Sequence, residues 1–164
     1  MNSGKVLQIS VKPSTTGEHG LPKISVPEAE MHFGGVDGDY NTYRQEKKSG
    51  EPDMAVMLIT QEILDDLNSE GWPVEYGDLG ENLTIGDLSY GAIEPDQKYR
   101  VGSALIQISF KCEPCIYLYS LPYIGDERGQ EFMKTVKDRR GWYARVLEEG
   151  VVKEGDYFQL ENSL

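Results

Sequence analysis

The sequence predicts a mainly β fold, a closed or partly open barrel with two or so short peripheral helices. Short segments rich in β-branched residues recur along the chain, glycine-containing turns separate them, and only two segments show helical spacing of apolar residues. A parallel α/β sheet would need a helix between most strands, and those helices are missing. The 164 residues are enough for one domain with its own core, so residues 1–164 are predicted as a single domain.

The first third of the chain alternates predicted strands with glycine-rich turns. Residues 5–12 and 21–26 are rich in β-branched side chains, and prolines bound the second segment. Three glycines lie within residues 32–44, a density that suits tight turns or close approach of the backbone to a ligand. Residues 54–60 are almost wholly apolar and short, which predicts a buried strand.

Two segments are predicted helices. The first follows Thr60, its predicted N-cap, and ends before Gly71. Its buried side chains are Ile63, Leu64 and Leu67. The second helix is predicted over residues 129–140, with Gly141 as its stop. Its apolar face comprises Phe132, Met133 and Val136.

The second half returns to strands. Five Gly-Asp pairs read as turns rather than as an internal repeat, because their flanks do not match. Residues 99–112 predict one long central strand, and residues 142–147 and 157–160 predict the last two strands. In the central strand, alternation places one apolar row on a single face: Ile106, Ile108, Phe110 and Cys112.

The two cysteines differ in their predicted surroundings. Pro114 cannot donate to a sheet ladder, so Cys112 is expected to be packed in the apolar row and Cys115 to be presented beyond the break. A half-buried structural role for Cys115 is the alternative. The CxxC spacing also fits a redox dithiol or half a zinc site, although a second ligand pair and a thioredoxin-like helix start are absent.

Charge is unevenly distributed along this chain of net charge −12. Residues 51–96 contain twelve acidic residues and no lysine or arginine, whereas residues 128–145 are basic. The acidic balance argues against nucleic-acid binding, and no apolar run is long enough for a membrane helix. Without a secretory signal or a cysteine framework, a cytoplasmic protein is predicted. An anionic ligand should dock near the basic segment, unless both segments are only solvated faces.

Several motifs in sequence order resemble the MOSC domain, named for the C-terminal part of molybdenum cofactor sulfurases. They are HFGGVDGD (32–39), EPDMAVMLIT (51–60), GDLGENLTIGDL (77–88), EPC (113–115) and GWYARVLEEGVVKEGD (141–156). The resemblance extends from about residue 6 to 160 and implies a β-barrel of the MOSC, pyruvate-kinase-barrel-like type. Many relatives carry a histidine motif where residues 40–53 have none, so no histidine acid or base is expected there.

The resemblance implies that Cys115 is the functional thiol, either as a persulfide carrier or as a thiolate ligand to molybdenum in a pterin cofactor. A thiolate is the reactive and metal-binding form of cysteine, and Lys111 is a candidate to favour it. The family also implies a link to pyridoxal phosphate, and a cysteine desulfurase or an electron-transfer protein as partner. The alternative is a molybdenum oxidoreductase that reduces N-hydroxylated bases or amines. Candidate cofactor-binding residues are Lys111, Arg44, Gly80, Glu81, Asn82, Arg139, Arg140 and Arg145.

Overall fold

The computed structural model describes residues 3–162, and its architecture is mainly β as predicted. Within these residues the strands are β1 (Ser3–Val11), β2 (Ile24–Val26), β3 (Glu28–His32), β4 (Gly35–Val36), β5 (Val56–Thr60), β6 (Leu83–Gly86), β7 (Lys98–Val101), β8 (Ala104–Lys111), β9 (Trp142–Glu148), β10 (Gly150–Lys153) and β11 (Tyr157–Leu160). The α-helices are α1 (Thr42–Lys47), α2 (Gln61–Ser69) and α3 (Gly125–Thr135). Three 3-10 helices are Pro52–Met54, Tyr90–Ala92 and Ile116–Ser120.

Seven of the strands form a closed barrel in the order β11-β7-β8-β9-β5-β6-β1. The barrel closes because β1 pairs with β6 on one side and, near its start, with β11 on the other. Strand β2 pairs with the far end of β1, and β10, β3 and β4 form a separate three-stranded sheet. Closure removes exposed sheet edges, which accounts for a stable fold built from such short strands.

One contiguous apolar cluster forms the core, and it joins the barrel to its helices. Tyr99 of β7 stacks on Phe158 of β11, with ring centroids 4.3 Å apart. On the helical side, Phe132 of α3 packs against Trp72, which follows α2. The fully buried strand β5 confirms the predicted burial of this apolar segment. Among residues 3–162, no helix is both long enough and apolar enough to cross a bilayer.

Some element predictions are wrong in their bounds. The single strand predicted over residues 99–112 is a hairpin, because Gly102 and Ser103 form a two-residue turn between β7 and β8. The second helix begins earlier than predicted and ends at Thr135, and Met133, predicted on its apolar face, is only half-buried. Helix α1 lies in a segment where no helix was predicted. Thr60 does occupy the N-cap position of α2, but its buried hydroxyl makes no capping hydrogen bond.

Phe110 is also misplaced by the alternation argument. Strands β8 and β9 pair as Ile108 with Ala144 and then as Lys111 with Trp142, so β8 carries one extra residue at this point. This bulge turns Phe110 outward, where it is 44% exposed and lies edge-on to Tyr143. A parity argument fails wherever a strand contains a bulge, because the alternation restarts after it.

Candidate functional site

The candidate site lies at one end of the antiparallel β8–β9 pair, where β8 leaves the barrel and β9 enters it. Beyond Lys111 the chain continues as an irregular segment through Pro114, and the Cys112 amide donates to the Gly141 carbonyl at 2.8 Å. This bond holds the segment that follows β8 against the residues that precede β9. Cys115 and Arg140 therefore lie side by side although they are distant in sequence.

The burial of the two cysteines agrees with the sequence prediction. Cys112 is 1% exposed and belongs to a small cluster with Met54, Met57 and Tyr143, whereas Cys115 is half-buried. Burial raises the pKa of the Cys112 thiol, which favours its protonated form. Both are free thiols. Their relative reactivity stays a prediction.

Arg140 is the cation in contact with the Cys115 thiol. Its Nη1 donates to Cys115 Sγ at 3.1 Å and to the Glu113 carbonyl at 2.7 Å, while Nε and Nη2 both donate to the Leu79 carbonyl at 3.2 Å. The residue is only 6% exposed. Burial opposes its charge, yet the neighbouring Cys112, Cys115 and Tyr143 side chains raise the pKa of Arg140 overall.

Cys115 borders two clefts of very different size. The narrow cleft, about 40 Å³, lies on the Arg140 side and also contacts His19, Lys23, Asn41 and Gly80. The wide cleft, about 620 Å³, lies on the Lys111 side and also contacts Lys48, Glu51, Asp53 and Phe110. The wide cleft falls in the size range of small-molecule sites, which begins at about 300 Å³, and the narrow cleft falls below it. The side chains common to both clefts are Tyr43, Glu113, Cys115 and Tyr143.

A buried carboxylate supports the wall of the narrow cleft. Glu81 is fully buried and accepts N–H bonds from Gly77 at 2.6 Å and from Leu79 at 3.1 Å. Burial is the main reason that the pKa of Glu81 is raised to about 7. The turn that Glu81 holds presents the Leu79 carbonyl to Arg140. It includes Gly80, whose φ of +94° would be strained for a residue with a side chain. Glu81 thus acts on the site through this turn.

Three further polar side chains, Lys23, Asp39 and Asn82, form a buried network. Lys23 Nζ and Asp39 Oδ2 form a buried ion pair at 2.7 Å, and Asn82 Nδ2 donates to the same carboxylate oxygen at 2.9 Å. Asn82 also accepts the Met57 amide through Oδ1. Glu81 and Asn82 therefore brace the backbone, and of the predicted 80–82 segment only Gly80 lines a cleft.

Lys111 and Arg44, two predicted ligand contacts, occupy different roles. Lys111 lines the wide cleft, and its Nζ lies 5.4 Å from the Trp142 ring centroid and 5.8 Å from that of Tyr90. Arg44 is buried and donates to the carbonyls of Gly34, Gly50 and Glu51 at 2.6, 3.1 and 2.7 Å. Arg44 thus fastens the loops around α1, while Lys111 borders the wide cleft and its role toward a ligand stays a prediction.

The acidic and basic segments, which are separate in sequence, meet in three dimensions. Arg139 forms a two-pronged ion pair with Glu70, and Arg145 Nε lies 3.0 Å from Asp53 Oδ1, outside ideal hydrogen-bond angles. Each arginine therefore pairs with a carboxylate from the acidic segment. Asp53 also borders the wide cleft, so acidic residues lie close to Cys115. Of the predicted arginines, only Arg140 contacts the thiol.

Sequence reasoning missed the aromatic side chains around the Cys115 thiol and the direct contact of Arg140 with it. Tyr43 and Tyr143 border both clefts, and His19 stacks on Tyr117 at 5.6 Å beside the narrow cleft. Once β8 and β9 are recognised as an antiparallel pair, the residues after one must face the residues before the other. That register was the available signal for bringing Arg140 to Cys115.

The sequence of this chain matches one family along most of its length. The sequence model of the MOSC domain matches residues 45–159. The chain belongs to the MOSC domain family. Membership connects it with molybdenum-cofactor-related function in general, and the matched segment contains Cys115, Arg140 and most of the wide cleft. No functionally curated protein matches the chain significantly.

Solved structures share the MOSC fold of this chain. YiiM from Geobacillus stearothermophilus is 24% identical with a TM-score of 0.73, over 97% of this chain and 75% of that one. The YUAD protein from Bacillus subtilis is 13% identical with a TM-score of 0.80, over 99% and 97%. YiiM from Escherichia coli is 23% identical with a TM-score of 0.67, over 98% and 71%. At these identities the likeness establishes the fold alone.

The side chains around Cys115 suit a molybdenum pterin better than a metal ion held by protein alone. Among residues 3–162, no group of three or more His, Cys, Asp or Glu side chains converges as a metal site. A pterin cofactor brings its own sulfur ligands and needs only one soft ligand from the protein, which Cys115 Sγ can provide. The wide cleft beside it has the volume for such a ligand.

Proposed function

We propose that this protein binds a molybdenum cofactor, or carries sulfur, through the sulfur atom of Cys115. The observation that carries the proposal is that a single half-buried thiol borders a cleft of about 620 Å³ while a buried guanidinium lies 3.1 Å from its sulfur. When bound, the cofactor would supply a metal able to exchange oxygen or sulfur. Cys115 would hold it, and Lys111 and Lys48 would face its anionic end across the wide cleft.

Two candidate roles differ in what Cys115 holds. A carrier would hold one additional sulfur atom, supplied by a partner such as a cysteine desulfurase. An oxidoreductase for N-hydroxylated bases or amines would hold the cofactor permanently and take electrons from a partner protein. The wide cleft is bordered by three aromatic side chains, Tyr43, Phe110 and Tyr143, which favour a planar ligand. This observation supports the oxidoreductase role. Pyridoxal phosphate binding and a cytoplasmic location remain predictions.

The two roles are separated by the composition of protein purified from a host that makes the cofactor. Molybdenum in a one-to-one ratio with the chain would identify a cofactor-binding protein and favour the oxidoreductase. Sulfane sulfur on Cys115 without metal would identify the carrier. Protein with neither, purified beside a loaded control protein from the same host, would refute the proposal.

A further inference from the structure

Phe110 is an exposed aromatic side chain on the border of the wide cleft. Among residues 3–162, five large apolar side chains are exposed: Ile24, Phe33, Phe110, Ile116 and Tyr157. Single exposed apolar residues are ordinary on a protein surface and carry no inference by themselves. Phe110 differs from the other four because it alone among them borders the wide cleft. Its uncovered ring therefore belongs to a cleft wall and not to an open surface.

The bulge in β8 is the reason that Phe110 faces this cleft. In a regular strand consecutive side chains face opposite sides, so Phe110 and Lys111 would be separated. The extra residue sets Ser109 and Phe110 against Tyr143 alone, and both Phe110 and Lys111 border the wide cleft. The Ser109 hydroxyl donates to the Asp53 carbonyl, which ties the bulge to a 3-10 helix that also borders the cleft. The bulge thus holds an aromatic ring and an ammonium group side by side.

The rest of the cleft adds an apolar floor and a second aromatic wall. Tyr143 and Met54 are buried and belong to the small apolar cluster outside the main core. Phe110 lies edge-on to Tyr143, with ring centroids 5.5 Å apart, a contact that leaves Phe110 44% exposed. Tyr43 packs against the same cluster, and Lys48 Nζ lies 5.8 Å from the centroid of its ring. Each aromatic wall therefore has an ammonium group beside it.

The carboxylates of the wide cleft are more engaged within the protein than its lysines are. Asp53 is paired with an arginine of β9, and the Glu51 carboxylate accepts the Asp53 amide at 3.2 Å. Glu113 is the remaining carboxylate of the cleft, and it is exposed. Lys48 and Lys111 take part in none of the ion pairs among residues 3–162. An anionic group on a ligand therefore fits this cleft better than a cationic one.

We propose that Phe110 is a specificity-determining residue and that the wide cleft binds a flat aromatic ring carrying an anionic group. The ring lies against Phe110, and its anionic group is directed to Lys111 and Lys48. The pterin of the proposed cofactor and a heteroaromatic substrate share this chemistry. The assignment deepens the proposed function of Cys115 and rests on it for the class of ligand, but the contacts it invokes do not include the thiol.

The proposal is tested by the binding of free pterin-6-carboxylate to protein that contains neither molybdenum nor sulfane sulfur. Calorimetric titration at low ionic strength should give the parent a Kd below about 1 mM. Phe110→Ala should raise this Kd about fivefold or more, and Phe110→Tyr should restore it. The matched control is Phe33→Ala, a change at a similarly exposed phenylalanine that borders neither cleft, and it should bind like the parent. A parent that does not bind at about 1 mM, or equal Kd values for the parent and folded Phe110→Ala, would overturn the proposal.

Two further probes test the requirements for charge and flatness. Lys111→Met should weaken pterin-6-carboxylate about threefold and leave the affinity for neutral pterin, which lacks the carboxylate, unchanged. Cyclohexanecarboxylate, an anion whose ring is neither flat nor aromatic, should bind the parent at least about tenfold more weakly than pterin-6-carboxylate. Equal weakening of both pterins by Lys111→Met, or equal binding of the two carboxylates, would contradict the assigned chemistry.

The source of the ring is decided with protein loaded with molybdenum. If loading abolishes the binding of pterin-6-carboxylate, the wide cleft holds the ring of the cofactor. If binding is undiminished, the cleft holds the ring of a substrate. Failure of the unloaded protein to bind the probe would remove the role of Phe110 and leave the proposed function of Cys115 standing. Absence of both molybdenum and sulfane sulfur from purified protein would do the opposite.

Discussion

Glu81 gives the chain a pH dependence of stability that can be worked out from the structure. The carboxyl is fully buried, and burial raises its pKa from 4.5 to about 7 despite the N–H bonds from Gly77 and Leu79. The folded state therefore keeps this proton to a higher pH than the unfolded state. The contribution of Glu81 to stability must fall as pH rises from about 4.5 to about 7, and it stays lower above that range.

The size of the effect follows from the shift in pKa. Raising the pKa from 4.5 to about 7 in a fully buried group corresponds to roughly 3 kcal/mol at 1.36 kcal/mol per unit. Glu81→Gln removes the ionisation and keeps one oxygen for the Gly77 amide. The amide nitrogen of the new glutamine faces the Leu79 N–H, so two donors meet and the free energy of unfolding falls by ~1–3 kcal/mol at every pH. The variant should thus be less stable than wild type at low pH and should close most of the gap, or reverse it, at high pH.

Urea denaturation from about pH 5 to pH 8 measures both proteins directly. The difference in free energy of unfolding between wild type and Glu81→Gln should change by roughly 3 kcal/mol across this range. Glu75→Gln, an exposed change on the same turn, is the control for altered net charge. A constant difference between Glu81→Gln and wild type would refute the reasoning. A stability advantage of wild type over Glu81→Gln that grows as pH rises would also refute it.

Other predictions concern single side chains. Limiting alkylation of the native protein should label Cys115, and Cys112→Ser should lower stability by ~1–3 kcal/mol while Cys115→Ser lowers it far less; preferential labelling of Cys112, or the opposite order of thermal melts, would contradict the burial argument. Arg44→Met should destabilise by roughly 3 kcal/mol or more in urea titrations, since three carbonyls lose their donor; an unchanged midpoint would show that they find others. Arg139→Ala should lower the free energy of unfolding by ~0–1 kcal/mol and leave the affinity for a phosphate analogue unchanged, because Arg139 pairs with Glu70. Weakened binding would show that Arg139 contributes to the site.

The barrel and its thiol were accessible from the sequence because local signals determine them. β-Branched runs and turn residues predicted most of the barrel strands, and Pro114 predicted that Cys115 would be presented. The bulge that exposes Phe110 was not accessible, since one extra residue in a strand leaves no mark on composition. Gly102 and Ser103 did offer a signal for the β7–β8 hairpin, because the fully buried apolar positions change there from odd (Tyr99, Val101) to even (Ala104, Ile106, Ile108).

The pairing of charges in space was not accessible from the sequence for a different reason. Counting charges along the chain treats neighbours in sequence as neighbours in space, whereas the barrel pairs Arg139 with Glu70 and Arg145 with Asp53. The same topology selects Arg140 from several equivalent arginines and places it at Cys115. Such pairings follow from strand register, which a single sequence specifies only weakly.

The role of Cys115 is tested most directly by cofactor and sulfur content. Wild type, Cys115→Ser and Cys112→Ser should be purified together from a cofactor-competent host and measured for molybdenum, pterin and sulfane sulfur. Wild type and folded Cys112→Ser should retain molybdenum with pterin, or sulfane sulfur, in about equal amounts, and Cys115→Ser should retain neither. Undiminished retention by Cys115→Ser would contradict the assignment of its sulfur as the working atom of the site.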